Sequence, residues 1–189
     1  YKVQDINNLR GLVMAEVSEL DVKMEEILHC YFVENGCDDK SQKFHKHITK
    51  DVEVNIKQKL TPNPNIEHEC DKKCIHIWHS KGMNEILADF DFDAYKKARS
   101  INRIIKDIQY GYQSTRGNFL EDYRVDIIEV RNNLAHCKSD IVDGKECIIT
   151  KKQNADDITY TDEDFKQIRS NIRKYRKVLE AIHNVVINL

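Results

Sequence analysis

Two long runs of helical periodicity bracket this chain and set what it can fold into. From Asp5 to Phe32, apolar residues recur at Leu9, Leu12, Val13, Val17, Leu20, Met24, Ile27, Leu28, Tyr31 and Phe32. That spacing keeps one stripe on one face of a helix. After Thr161, the residues Ile168, Ile172, Tyr175, Val178, Leu179, Ile182 and Val186 repeat the pattern. Such stripes are core faces, and the last run closes a bundle. Asp5 is placed to cap the first helix and Asn35-Gly36 to end it. Thr161 is placed to cap the last, with Glu163 and Asp164 in the first turn, where the helix dipole favours acids. Only 6 Gly and 2 Pro fall in 189 residues, too few breakers for an all-β fold.

Between these runs, Phe44, Ile48, Val52, Ile56 and Leu60 step by four, which predicts a helix over 40–60. Val52, Val54 and Ile56 also alternate as in a strand. Thr61-Pro62-Asn63-Pro64-Asn65 is a break. The stretch 83–112 reads as one helix or two, the second capped by Asp91 or Asp93. Another helix is expected over 118–137. Beyond it, Asp143-Gly144 signals a turn, and 146–150 and 158–160 are β-rich, so a hairpin is expected there. The fold class is therefore all-α, a bundle of four to six helices with a small β-hairpin before the C-terminal helix. It reads as one domain spanning 1–189. Because the sequence opens on Tyr1 rather than Met, that domain is read as whole or as part of a longer protein.

The formal net charge is −2, which excludes a general nucleic-acid coat protein; any RNA contact must come from local basic clusters. No stretch is apolar enough to span a membrane, and no signal peptide is visible. The 6 Cys are irregularly spread, as in a cytoplasmic protein with free thiols rather than a disulfide scaffold. One cluster stands out: Cys70, Cys74, His76 and His79, with His68 nearby. These are ligand types that zinc takes in a tetrahedral site. Their spacing is not that of a standard finger, so a surface loop with free Cys and His stands beside a structural zinc site, and no catalytic metal is expected.

The chemistry concentrates at the end of the 118–137 run. Leu120, Tyr123, Ile127, Val130 and Leu134 form its apolar stripe. Glu129, Asn132 and His136 fall at i, i+3 and i+7 and so share a face, with Asp122 and Asp126 expected to extend it backwards. Arg131 is placed about a quarter turn aside, on the shoulder of that face. A permanent cation, an amide and an imidazole then lie near one spot. A guanidinium binds phosphate with a two-pronged fork, and an imidazole moves protons near neutral pH. A solvated helix face carrying the same residues is the plainer alternative. Arg99, Arg103 and Lys106 give the preceding helix a basic face, and Arg116 stands in the loop leading to the motif. These read either as solvated charges or as a track for an RNA backbone.

Arg131-Asn132-Asn133-Leu134-Ala135-His136 resembles the signature of the HEPN superfamily, an Arg followed by four residues and a His at the end of a late helix. The detailed likeness covers roughly 121–139. The resemblance implies a metal-independent endoribonuclease needing no cofactor. In it, two copies face each other to build one site at a homodimer interface. Carried over, Arg131 contacts the scissile phosphate and His136 serves as general base or acid for attack by the ribose 2′-hydroxyl. Asn132 orients the imidazole or the substrate. Glu129 and Asp126, which the helical spacing puts on the same face, are read as supporting residues. The resemblance also implies a toxin, antiviral-defence or RNA-processing setting, and a regulatory partner or additional domain. One departure matters. In the branch paired with a nucleotidyltransferase antitoxin, a Tyr stands two residues after the His; here it is Lys138, so adenylylation at that position is not expected. The alternative within the same resemblance is a non-catalytic RNA-binding or dimerisation module, with or without a structural zinc.

Overall fold

The computed structural model describes residues 5–31, 92–142, 144–151 and 157–189. The readings made for the Asn35-Gly36 helix end, for 40–60, for the break at 61–65, for the Cys70–His79 cluster with His68, and for 83–91 lie outside those residues.

Helix α1 spans Ile6–His29, opened by Asp5, whose side chain accepts a 2.8 Å hydrogen bond from the Asn7 amide. Its stripe buries Val13, Val17, Leu20, Met24, Ile27 and Leu28 as the periodicity requires. Helix α2 spans Ala94–Asp107, and of the two candidate caps it is Asp93 that accepts from the Lys96 amide, at 3.0 Å. Asn118 caps the next helix, whose first stretch α3 is Phe119–Tyr123. A π turn, Arg124–Ile128, carries the chain without a break into α4, Glu129–Ala135. Together these three form the motif helix. The last helix, α5, spans Asp162–Ile187, and the Asp164 carboxylate accepts from both the Thr161 amide (2.8 Å) and its hydroxyl (2.7 Å). The helical bundle is thus present among the described residues.

The expected hairpin is part of a three-stranded antiparallel sheet ordered β1-β2-β3. Strands β2 (Lys145–Thr150) and β3 (Ile158–Tyr160) pair as the sequence suggests. A further strand β1, Lys138–Val142, comes straight off the motif helix and pairs with β2, Val142 opposite Lys145. The two residues between them are Asp143-Gly144, and Gly144 adopts φ 74°, the left-handed conformation a tight hairpin needs.

Side-chain ties fix the helix directions. Along α1 and α5, Glu16 meets Arg169 (2.8 Å), Glu19 meets Arg176, and Lys23 meets His183 (3.0 Å), so the two helices run the same way. Helix α2 also runs with α1, tied by Lys97 to Glu25 (2.6 Å) and by Tyr31 to Asp107. The motif helix runs against them: Arg10 near the start of α1 reaches the carbonyl of Ala135 at its end (3.4 Å). It likewise opposes α5, with Asn133 tied to Tyr160 and Asp126 to Tyr175. Between α3 and α5 lies an aromatic cluster. Phe119 and Tyr123 stack at 5.5 Å, and Tyr175 meets both edge-on, at 5.9 and 5.1 Å. The motif helix is therefore held from three sides, and only its outer face and its C-terminal end reach solvent.

Candidate functional site

The apolar stripe of the motif helix is as expected: Tyr123, Ile127 and Leu134 are buried, with Leu120 and Val130 packed against the core. The polar face is not. Asp122 and Asp126 were expected to continue the face of Glu129, Asn132 and His136, yet they point inward. Asp122 is fully buried and the Asp126 side chain is 12% exposed, whereas Glu129, Asn132 and His136 are exposed. The π turn is the physical reason. It adds one residue to a helical turn, which rotates everything before it by roughly 100° relative to everything after. A periodicity drawn through Arg124–Ile128 as uniform helix therefore joins two faces that the molecule keeps apart.

The inward carboxylates organise the loop that precedes the helix. Asp122 accepts from the Tyr112 hydroxyl (2.9 Å), the Ser114 hydroxyl (2.8 Å), and both the amide and the hydroxyl of Thr115 (3.0 Å each). Burial pushes its carboxyl pKa up, but those four donors outweigh burial and hold it at about 2. Arg116 spans Asp126 at 3.0 Å and Asp122 at 3.5 Å. Its guanidinium, read from the sequence as a candidate RNA contact, is thus already occupied by two carboxylates. Tyr175 donates to Asp126 at 2.8 Å, and burial followed by that bond pushes its phenol pKa up, which keeps the donor protonated. Asp126, a candidate support for His136, instead supports Arg116 and Tyr175. Glu129 pairs with Arg124. Arg99, Arg103 and Lys106 follow one another at i, i+4 and i+7 on α2, the first two half-buried and Lys106 exposed.

The end of the motif helix is unusually well held. The last carbonyls of a helix have no partner within it. Here Asn133 O accepts from the Thr150 hydroxyl of β2 (2.9 Å), Leu134 O lies 2.8 Å from the Cys137 thiol, and Ala135 O meets Arg10 of α1. The Arg10 cation at a helix C-terminus also suits the dipole. The Asn133 side chain donates to the Tyr160 hydroxyl at 3.0 Å, joining β3 to the same turn. His136 is the C-cap residue, exposed, on backbone that three other parts of the chain hold. Tyr160→Phe removes the acceptor of the Asn133 amide. It is expected to lower the melting temperature by about 2–4 °C, from roughly 1 kcal/mol of lost bonding. A thermal melt that does not move would show that this bond contributes nothing net.

Arg131 stands apart from Asn132 and His136. It is half-buried, forms no ion pair among the described residues, and its charge acts on Asp21 of α1 and on Tyr123. No hydrogen bond joins Arg131, Asn132 and His136 to one another. Sequence reasoning passed over Asp21, a carboxylate on α1 whose Oδ1 is sealed from solvent without a hydrogen bond. Its signal was legible: Val17, Asp21, Met24 and Leu28 form one helical series, and Asp21 stands in it where an apolar residue belongs.

No protein-family model, curated protein or solved structure matches this chain. Among the described residues, no helix is long and apolar enough to cross a membrane.

Proposed function

We propose that the chain is a metal-independent endoribonuclease of the HEPN type, working as a homodimer with Arg131 and His136 at its site. One observation carries this reading. An exposed imidazole and amide sit at a helix end whose Asn133, Leu134 and Ala135 carbonyls all have partners, and one turn back is a half-buried guanidinium that forms no ion pair with a carboxylate among the described residues. A cation taken partly out of water without a partner costs stability, and an incoming phosphate would offset that cost.

The chemistry follows from the groups. An imidazole takes the proton of the ribose 2′-hydroxyl as its oxygen attacks the adjacent phosphorus. The P–O5′ bond breaks, and a proton passes to the departing 5′-oxygen. The products are a 2′,3′-cyclic phosphate and a 5′-hydroxyl. The guanidinium offsets the charge that builds on the phosphoryl oxygens. One imidazole cannot at the same instant take a proton on one side and give one on the other, so a second copy facing the first supplies the missing partner.

RNA cleavage in EDTA tests the reading. Cleavage by the intact chain that is lost in His136→Ala is the expected result. Cleavage that needs a divalent ion and leaves 5′-phosphates overturns it.

A further inference from the structure

The strand that leaves the motif helix is an edge. In the order β1-β2-β3, β1 has β2 on one side and no strand on the other among the described residues. Val142 and Lys145 close the two-residue turn, and the pair closing such a turn exchanges its amides and carbonyls directly. Alternation then turns the backbone groups of Lys138 and Asp140 toward β2, and those of Ser139 and Ile141 outward. The Ile141 amide is met by the carboxylate of its own neighbour Asp140, at 2.8 Å. Lys138, Ser139, Asp140 and Ile141 are all exposed, and Ile141, at 68%, is the most exposed large apolar side chain among the described residues. A row of outward backbone donors and acceptors beside an exposed apolar side chain is a template for another strand.

We infer that β1 is a contact surface for a second copy of this chain, the two β1 strands pairing antiparallel about a two-fold axis at Ser139. The charges select that occupant and that register. With Ser139 opposite itself, Lys138 of each copy stands opposite Asp140 of the other. These are non-hydrogen-bonded positions, where facing Cα atoms lie about 4.5 Å apart and opposite charges stabilise the pair. Moving the axis by one residue brings Asp140 against Asp140 or Lys138 against Lys138, and like charges oppose each other there. Charges on an edge strand commonly repel a second strand; here they repel the neighbouring registers and favour this one. Ser139 and its copy exchange two backbone hydrogen bonds, as a self-complementary contact requires. Ile141 falls opposite Cys137 of the second copy, on the side of the sheet that carries the fully buried Ile148. Its side chain thereby extends a core face instead of standing in water. The Asp140 carboxylate gives up the Ile141 amide to the facing strand and turns to Lys138. This contact does not rest on the nuclease reading. The two His136 Cα atoms stand about 20 Å apart across it, so motif-to-motif pairing uses other surface, and a chain making both contacts assembles beyond a dimer.

Sedimentation equilibrium of the intact chain and two charge-reversed variants tests the contact. Lys138→Glu sets a carboxylate against Asp140, and Asp140→Lys sets an ammonium against Lys138. Each variant alone should therefore show about half the molar mass of wild type at the same concentration. Mixed in equal amounts, the two variants meet with unlike charges at both positions, and the mass should return to that of wild type. That recovery also shows that both variants are folded. A wild type no heavier than the single variants overturns the inference and leaves the edge to a strand of another protein. Single variants that keep the wild-type mass overturn it as well, and so does a mixture that stays at the mass of its components. A chain that pairs in this way yet cuts no RNA sinks the nuclease reading and leaves the contact standing.

Discussion

Asp122→Ala is expected to destabilise the fold by about 3–5 kcal/mol, the range for removing one partner from a buried charged network. The carboxylate is fully buried and accepts from four donors in the loop ahead of the motif helix. Its loss leaves the Tyr112 and Thr115 hydroxyls and the Thr115 amide without an acceptor, and takes from Arg116 one of its two carboxylates. Asp122→Asn should cost less, since one oxygen remains, though its amide must then face donors. The pH dependence has a definite sign. The Asp122 carboxyl is depressed to about 2 in the folded chain, against roughly 3.9 when unfolded. Its contribution is therefore complete above about pH 4, where it amounts to about 2–3 kcal/mol, and it is lost as pH falls toward 2. Urea melts of wild type and Asp122→Asn at neutral pH and at about pH 3 should converge as the solution is acidified. A difference that stays constant across that range would mean the four donors do not favour the ionised form.

That network also shows where a sequence stops being legible. The helices that carry most of the core were readable because burial imposes a period of 3.6 and Asp5, Asp93 and Thr161 mark helix starts by their own chemistry. The strand over 138–142 was not, because its residues carry little β signal of their own. What defines it is pairing with β2 across Asp143-Gly144, a tertiary property announced only by the turn. The polar face of the motif helix was misread for a different reason. A π turn has no composition signature in Arg124-Val125-Asp126-Ile127-Ile128, and one inserted residue is enough to send Asp122 and Asp126 to the interior while Glu129, Asn132 and His136 stay outside. Arg116 illustrates the cost of that slip. In sequence it is one more basic residue near the motif; in space it is the cation that the two inward carboxylates require. The six-residue motif is a reading of residue types alone, and the structure adds to it the held helix end on which those residues stand.

His136→Ala and Arg131→Ala should each lower RNA cleavage by about 10²–10⁴-fold, the usual contribution of a positioned proton carrier or of a preorganised charge at a phosphoryl group. The two losses should differ in kind. Without the imidazole, kcat should fall with KM little changed, because the proton carrier is gone. Without the guanidinium, KM should rise as well, because the same cation meets the phosphate before reaction. Neither variant should melt far from wild type: His136 is exposed, and removing Arg131 deletes no ion pair among the described residues. A shared site makes a stricter demand. When wild-type chains are co-expressed with about a ninefold excess of His136→Ala, random pairing leaves only about one wild-type chain in ten with a wild-type partner. If each reaction needs an imidazole from both copies, activity per wild-type chain should fall to about a tenth. Activity per chain that stays constant would mean that one copy is sufficient, and would place the second proton carrier within the same chain.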